Sequence, residues 1–250
     1  MAGPTFVQGS YDQIRPSVVQ AQGLYEISED KQTRLGEKIE VGERTFRYAQ
    51  ASEALTAGNL ATALADIDVE DTVTVAHPVG TFKVTVTAGT AITANQYADG
   101  MLAVDSGAGA ADAYRVKSHP AAASGTFEVT LYDPLRTLWV VGTTDIQLQM
   151  SPYRVQESNT GQLELPVGVP LVDVTDEYYF WLQVRGLCFV LTDEAFGNAT
   201  DQRLVTIGSS TAGSVEAYDA LGEAIVGQVC AVGALDLEAD KYMPIMLQLT

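Results

Sequence analysis

Apolar and polar residues alternate along most of this chain in short runs, and glycine- or proline-bearing turns separate the runs. A period of two is the signature of a half-buried strand. LGEKIEVGERTFRYAQAS reads as two short strands about a turn at Val41-Gly42-Glu43, with Phe46 and Tyr48 on one face and Arg47 on the other. LTAGNLATA turns at Ala57-Gly58-Asn59 and then re-enters the core. The densest alternation follows in DTVTVAHP, GTFKVTVTAG, MLAVDSG, AYRVKSHP, GTFEVTLYDP, LWVVG and IQLQM. Val, Thr, Phe and Tyr carry these runs, in keeping with strand propensity. Gly-Thr-Phe opens two similar strands, at 80–82 and 125–127, through an internal duplication or through convergence on the same strand-and-turn chemistry.

The strongest hydrophobic segment is DEYYFWLQVRGLCFVLTD. Both of its faces are apolar at the start, where Tyr178, Tyr179 and Trp181 cluster, so it predicts a central strand covered on two sides or one passing from core to subunit contact. ELPVGVPLVDV precedes it, and Pro166 and Pro170 predict an edge or a connecting segment. QRLVTIGSS, GSVEAY, AIVGQVCAVG and KYMPIMLQL add short strands, and glycines such as Gly186 and Gly213 suit bulges and tight corners. Helical signal is confined to one turn in ITANQYADG, capped by Thr93 or Asn95, and a short patch, VEAYDALGEA, interrupted by Gly222. The fold class predicted is therefore all-β. It comprises a small β-barrel-like core domain (35–66 and 145–250), an inserted antiparallel β domain (67–144) and an extended N-terminal arm (1–34). The arm is polar and aperiodic, and reads either as a segment that becomes ordered only against neighbouring subunits or as a disordered tail.

Length and charge narrow the function. The 250 residues carry 14 Lys+Arg against 32 Asp+Glu, a net −18. Such a field repels phosphates and anionic lipid, so no nucleic-acid or membrane partner is expected. MAGPTFVQGS lacks the features of a secretory leader, and no apolar run is long enough for a membrane-spanning helix. Cys188 and Cys230 lie in apolar runs as small hydrophobes; a mutual disulfide requires their strands to pair. His77 and His119 each end a strand before a proline and read as turn or packing residues. Two histidines on separate hairpins do not make a metal site. Asp66, Asp68, Glu70 and Asp71 read as a solvated acidic turn, and Asp105 stands nearly alone, which leaves only casual cation binding to acidic loops. No nucleophile motif or phosphate loop occurs, and DSGAGAADAY is a hairpin turn. No catalytic, cofactor-binding or metal-ligating residue is predicted, and the chain is expected not to be an enzyme. Eleven tyrosines favour half-buried contact surfaces instead.

RLGEKIEVGERTFRYAQASEALTAGNLATA, ITANQYADGMLAV, AYRVKSHP, FEVTLYDPL, YYFWLQVRG and AIVGQV together resemble a recurrent family of tailed-bacteriophage structural proteins, over residues 34–250. More weakly, 178–233 resembles the small β-barrel of phage head decoration (cement) proteins. The resemblance implies a virion protein bound to the major capsid protein outside the head, self-associating as a trimer, stabilising the shell and assembled in the host cytoplasm. Its alternatives are a tail, neck or fibre-base component, or a carbohydrate-binding β module.

Overall fold

The computed structural model describes residues 22–64, 69–196, 202–230 and 238–249. Among them the fold is all-β, with no helix and sixteen strands. In chain order these are β1 (Lys38–Val41), β2 (Arg44–Ala51), β3 (Ala61–Ala63), β4 (Val69–Thr72), β5 (Lys83–Ala88), β6 (Met101–Ser106), β7 (Ala113–Ser118) and β8 (Gly125–Leu131). They continue with β9 (Asp145–Gln149), β10 (Arg154–Glu157), β11 (Pro166–Pro170), β12 (Tyr179–Thr192), β13 (Leu204–Ile207), β14 (Val215–Ala217), β15 (Gly227–Val229) and β16 (Lys241–Gln248). The chain divides into two compact units, one from 1–33, 37–62 and 155–250, the other from 34–36 and 63–154.

The second unit is a six-stranded sheet in the order β4-β9-β6-β7-β8-β5. It is nearly closed, because the Thr87 N–H on β5 donates to the Asp71 carboxylate on β4 at 2.8 Å. Period-two patterning explains its core: Val84 and Val86, Leu102 and Val104, Tyr114 and Val116, Phe127 and Val129, and Ile146 and Leu148 all point inward. The two Gly-Thr-Phe segments lead into direct neighbours, β5 and β8, paired antiparallel with Val86 opposite Phe127. β9 lies between β4 and β6, so this unit extends past residue 144 to 154. Buried Asp99 ties in the chain at 34–36, accepting the Leu35 N–H at 2.7 Å and the Tyr132 hydroxyl at 3.2 Å.

The first unit is built on the fourteen-residue β12. Beyond the linear order β1-β2-β10-β3-β11-β12-β14-β13-β15-β16, β12 also pairs with β2 and with β16. The pairings thus close two five-stranded rings that share β12: β2-β10-β3-β11-β12 and β12-β14-β13-β15-β16. Leu60, Cys188, Val190, Phe196, Val205, Ile207, Val215, Ile245 and Leu247 belong to one core cluster here. Between the two halves of β12 the register against β2 slips at Gln183/Arg185. The Gln183 side-chain N–H group bridges this bulge, donating to the carbonyls of Arg185 (3.2 Å) and Leu187 (2.9 Å). Gly186 follows at φ +91, and a Cβ there would lie 2.9 Å from the Glu43 carbonyl oxygen, so only glycine fits without strain.

Several sequence expectations are corrected. β11 is no edge: it is buried at all five residues and flanked by β3 and β12. Its prolines occupy the first and last positions, so the ladder between them keeps its donors. VEAYDALGEA is no helix: Val215–Ala217 forms β14, the strand read in GSVEAY, with ladder bonds to β12 and β13, and turns follow. ITANQYADG folds as successive turns, with N–H bonds from Gln96 to Thr93, Ala98 to Asn95 and Gly100 to Tyr97. Positive φ at Asn95 (59°) and Asp99 (60°) breaks any helical continuation. DTVTVAHP is a strand only to Thr72, and LWVVG is reduced to a single bridge between His77 and Trp139. Cys188, on β12, and Cys230, just past β15, are free thiols, as expected of small hydrophobes; β12 and β15 both pair with β16 and not with each other.

Residues 1–21 of the expected N-terminal arm lie outside the described residues. Residues 22–33 are held by their own chain, contrary to an arm ordered only by neighbours. The Trp181 indole N–H donates to the Gln22 carbonyl at 3.1 Å, and the Tyr48 hydroxyl donates to the Gln22 side-chain oxygen at 2.8 Å. The Gln32 N–H donates back to the Tyr48 hydroxyl at 3.1 Å, and Ser28 and Tyr179 exchange both backbone bonds. Burial pushes the Tyr48 phenol up to about 12, so it stays a neutral donor. Tyr48→Phe removes a buried hydroxyl that serves both Gln22 and Gln32. A loss of about 1–3 kcal/mol is expected in denaturant melts, with faster tryptic cleavage at Lys31 and Arg34.

Candidate interaction surfaces

β12 changes environment along its length. From Phe180 to Val184 every side chain is buried. Trp181 and Tyr179 pack on Tyr48, the first edge-on at 5.1 Å between ring centres, the second stacked at 6.0 Å. The Tyr179–Trp181 cluster is therefore spent inside the unit. From Arg185 onward the strand alternates: Cys188, Val190 and Thr192 are buried, while Leu187 and Phe189 face out. The antiparallel register with β16 places Leu187 opposite Met246, Phe189 opposite Pro244 and Leu191 opposite Tyr242. Phe189 is 58% and Tyr242 47% exposed, so apolar surface on two adjacent strands is open to water.

Polar groups frame this face. One open groove of about 300 Å³ runs between Arg44, Gly58, Pro170, Leu187, Phe189 and Tyr242. A second, of about 450 Å³, lies against the β1–β2 turn at Val41–Arg44 and shares Leu187 and Phe189. Arg185 lies within a third groove beside Glu43 and Met246. In a chain so rich in carboxylates, two guanidinium groups beside an apolar ridge form a local exception. Gly58, at φ +83, permits the close approach of Tyr242, whose ring would meet a Cβ there at 2.7 Å.

The second unit exposes another apolar surface. Residues 73–82 run antiparallel to 135–144, joined by bonds between Val73 and Thr144, His77 and Trp139, and Gly80 or Thr81 and Leu135. Trp139 and His77 turn inward and meet edge-on at 5.9 Å, whereas Val75, Val79, Phe82, Leu138, Val140 and Val141 are exposed. Alternation alone hid both surfaces: it separates Cys188 from Phe189 but does not say which of them faces water. An unbroken absence of charge through 72–82 and 137–144 was the signal available for the second.

The histidines are structural acceptors. His77 Nε2 accepts the Thr85 N–H at 3.1 Å, and His119 Nε2 accepts the Tyr97 N–H at 3.0 Å. His119 Nδ1 lies 2.9 Å from the Pro120 carbonyl, which fixes the tautomer with the proton on Nδ1. Burial lowers both imidazole pKa values. The Cys188 thiol is pushed up to about 12 by burial, against a smaller opposing effect of Arg44. Of the acidic turn, Asp66 and Asp68 lie outside the described residues, while Glu70 and Asp71 belong to β4. Asp105 sits on β6. Among the described residues no group of three or more His, Cys, Asp or Glu side chains is arranged to hold a metal ion. Among the described residues there is no helix long and apolar enough to cross a membrane. No protein-family model matches the chain, and comparison with curated proteins and with solved structures yields no match.

The histidine geometry gives the second unit a pH dependence. Folding holds both rings neutral, so the unfolded chain binds more protons below its histidine pKa of about 6.5. The stabilisation is complete above that pH and is lost as pH falls through the lowered folded-state values. Thermal melts between pH 7.5 and 5.5 are expected to show a falling midpoint for the second unit. A chain carrying both His77→Gln and His119→Gln is expected to lose most of that slope.

Proposed function

We propose that this chain is a structural protein of a tailed-bacteriophage particle, a capsid decoration protein that binds the outside of the head and stabilises it. The observation that carries the reading is the exposed Leu187–Phe189–Tyr242 face on β12 and β16, with Arg44 and Arg185 beside it. Apolar ridges of this kind on a soluble surface mark protein contacts. The sequence resemblance over 34–250 supplies the phage assignment, and the all-β architecture fits a building block of a shell.

On this reading the major capsid protein offers the apolar pocket and the acidic groups that face Arg44 and Arg185, and the decorating species is a trimer. Each copy binds the assembled shell and not its dissociated subunits, so mass action converts modest affinity per site into particle stability. The net charge of −18 fits an exterior position, away from packaged nucleic acid.

Purified full-length chain mixed with undecorated shells is expected to co-sediment at a fixed ratio and to raise the temperature at which the shells break. Phe189→Asp removes the most exposed aromatic of the ridge and is expected to weaken binding roughly tenfold or more. Its own melting temperature should stay near that of the parent, because the site is exposed. Absence of saturable binding by the parent chain overturns the proposal.

A further inference from the structure

We propose that the paired ribbon of the second unit, residues 73–82 against 135–144, is a contact surface for a second copy of this chain. It deepens the trimer of the decoration reading by naming the face through which copies meet, and it rests on residues other than those of the shell-binding face. The ribbon exposes Val75, Val79, Phe82, Leu138, Val140 and Val141, with Val79 61% exposed. Its two halves are held by backbone bonds from Val73–Thr144 at one end to Gly80–Leu135 at the other, so the apolar groups are fixed before any partner arrives. Prior ordering lowers the entropy cost of association.

Charge selects the occupant. Surfaces gathered about a symmetry axis meet their own image, so every charge near the axis faces its like. A chain of net −18 therefore opposes self-contact over most of its surface. None of residues 72–82 or 137–144 is Asp, Glu, Lys or Arg. At one end of these segments the charges are ion-paired, Lys83 with Glu128 at 2.6 Å and Arg136 with Asp112 at 2.9 Å, and at the other end the carboxylates Asp71 and Asp145 are held by hydrogen bonds from the Thr87 N–H and from the Thr72 and Ser106 hydroxyls. Two copies approaching through the middle of this ribbon bury valine, leucine and phenylalanine, with Asp71 and Asp145 confined to one end. The β12–β16 face differs in kind: about a symmetry axis its Arg44 and Arg185 would meet their own copies, so it suits an unlike partner.

Sedimentation velocity of the full chain, without shells, tests this from about 1 to 200 µM, the range in which modest apolar contacts dissociate. The parent chain is expected to associate, and more tightly at 0.5 M than at roughly 0.05 M salt, because salt screens the repulsion between copies. Val79→Asp and Phe82→Asp are expected to raise the dissociation constant roughly tenfold or more, whereas Phe189→Asp leaves it unchanged. Should either aspartate variant melt early, the paired Val79→Thr and Val140→Thr substitutions remove apolar surface while keeping shape, and the same weakening is expected. A parent chain that stays monomeric at every concentration and salt overturns the proposal. So does association that survives the ribbon variants, or that is lost in Phe189→Asp. Because no shell is present, these outcomes bear on the trimer of the decoration reading but leave its shell binding standing, and failure of shell binding leaves this proposal standing.

Discussion

Everything in the first unit depends on one strand serving two closed rings. β12 contributes edges to β2 and β11 over its first half and to β14 and β16 over its second. A flat fourteen-residue strand would carry one unchanging alternation from end to end. The bulge at Gln183/Arg185 lets the two halves obey different rules, and Gly186 supplies the backbone freedom. Gln183 then satisfies two carbonyls that the interrupted ladder would leave short of donors. The result is a strand whose beginning is wholly core and whose end offers one face to water. The exposed Leu187 and Phe189 are a consequence of that construction, because closing the second ring requires Cys188 and Val190 to point the other way.

The second constraint is electrostatic. With more than twice as many acidic as basic residues, the surface is soluble but repels copies of itself. Contact surfaces on such a protein must either bring cations or lack charge. The two apolar surfaces divide along these lines, one beside Arg44 and Arg185 and the other uncharged through 72–82 and 137–144, with Arg136 paired to Asp112 at its end. On the two proposals made above, that difference in rim chemistry, more than any difference in apolar content, is what separates an unlike partner from a second copy.

How much of this was legible depended on whether burial followed from local alternation or from closure. β5 to β8 follow the period-two runs nearly residue for residue, because each strand packs one face on a single core and the polar face is left to solvent. The double-sided start of DEYYFWLQVRG also predicted the buried first half of β12. Failures arose where a distant segment decided the outcome. Pro166 and Pro170 argue for an edge only if nothing pairs with the residues between them, and β3 and β12 do. Val215–Ala217 fits both the strand read in GSVEAY and the helical patch read in VEAYDALGEA, and a parallel partner at Thr192 with an antiparallel one in β13 takes it into the sheet. Val75 and Val140 alternate like strand residues, yet β4 ends at Thr72 and β9 begins only at Asp145, so their side chains lie outside the barrel.

The segment at 22–33 shows why composition misleads at a chain's periphery. It has few apolar side chains to bury, so hydrophobicity predicts nothing for it. What holds it is instead polar: Trp181 and Tyr48 each have one ring to pack and one hydrogen-bonding atom to satisfy. Both atoms are buried in the unit's own aromatic cluster, and an unpartnered donor there would be costly. Gln22 meets both needs, with its backbone carbonyl for the indole and its side-chain oxygen for the phenol. Order in the segment is thus dictated by donors in β2 and β12 rather than by its own residues. The same logic explains the neutral histidines of the second unit: Thr85 and Tyr97 each present a backbone N–H inside a core, and His77 and His119 are the side chains whose unprotonated nitrogens accept them.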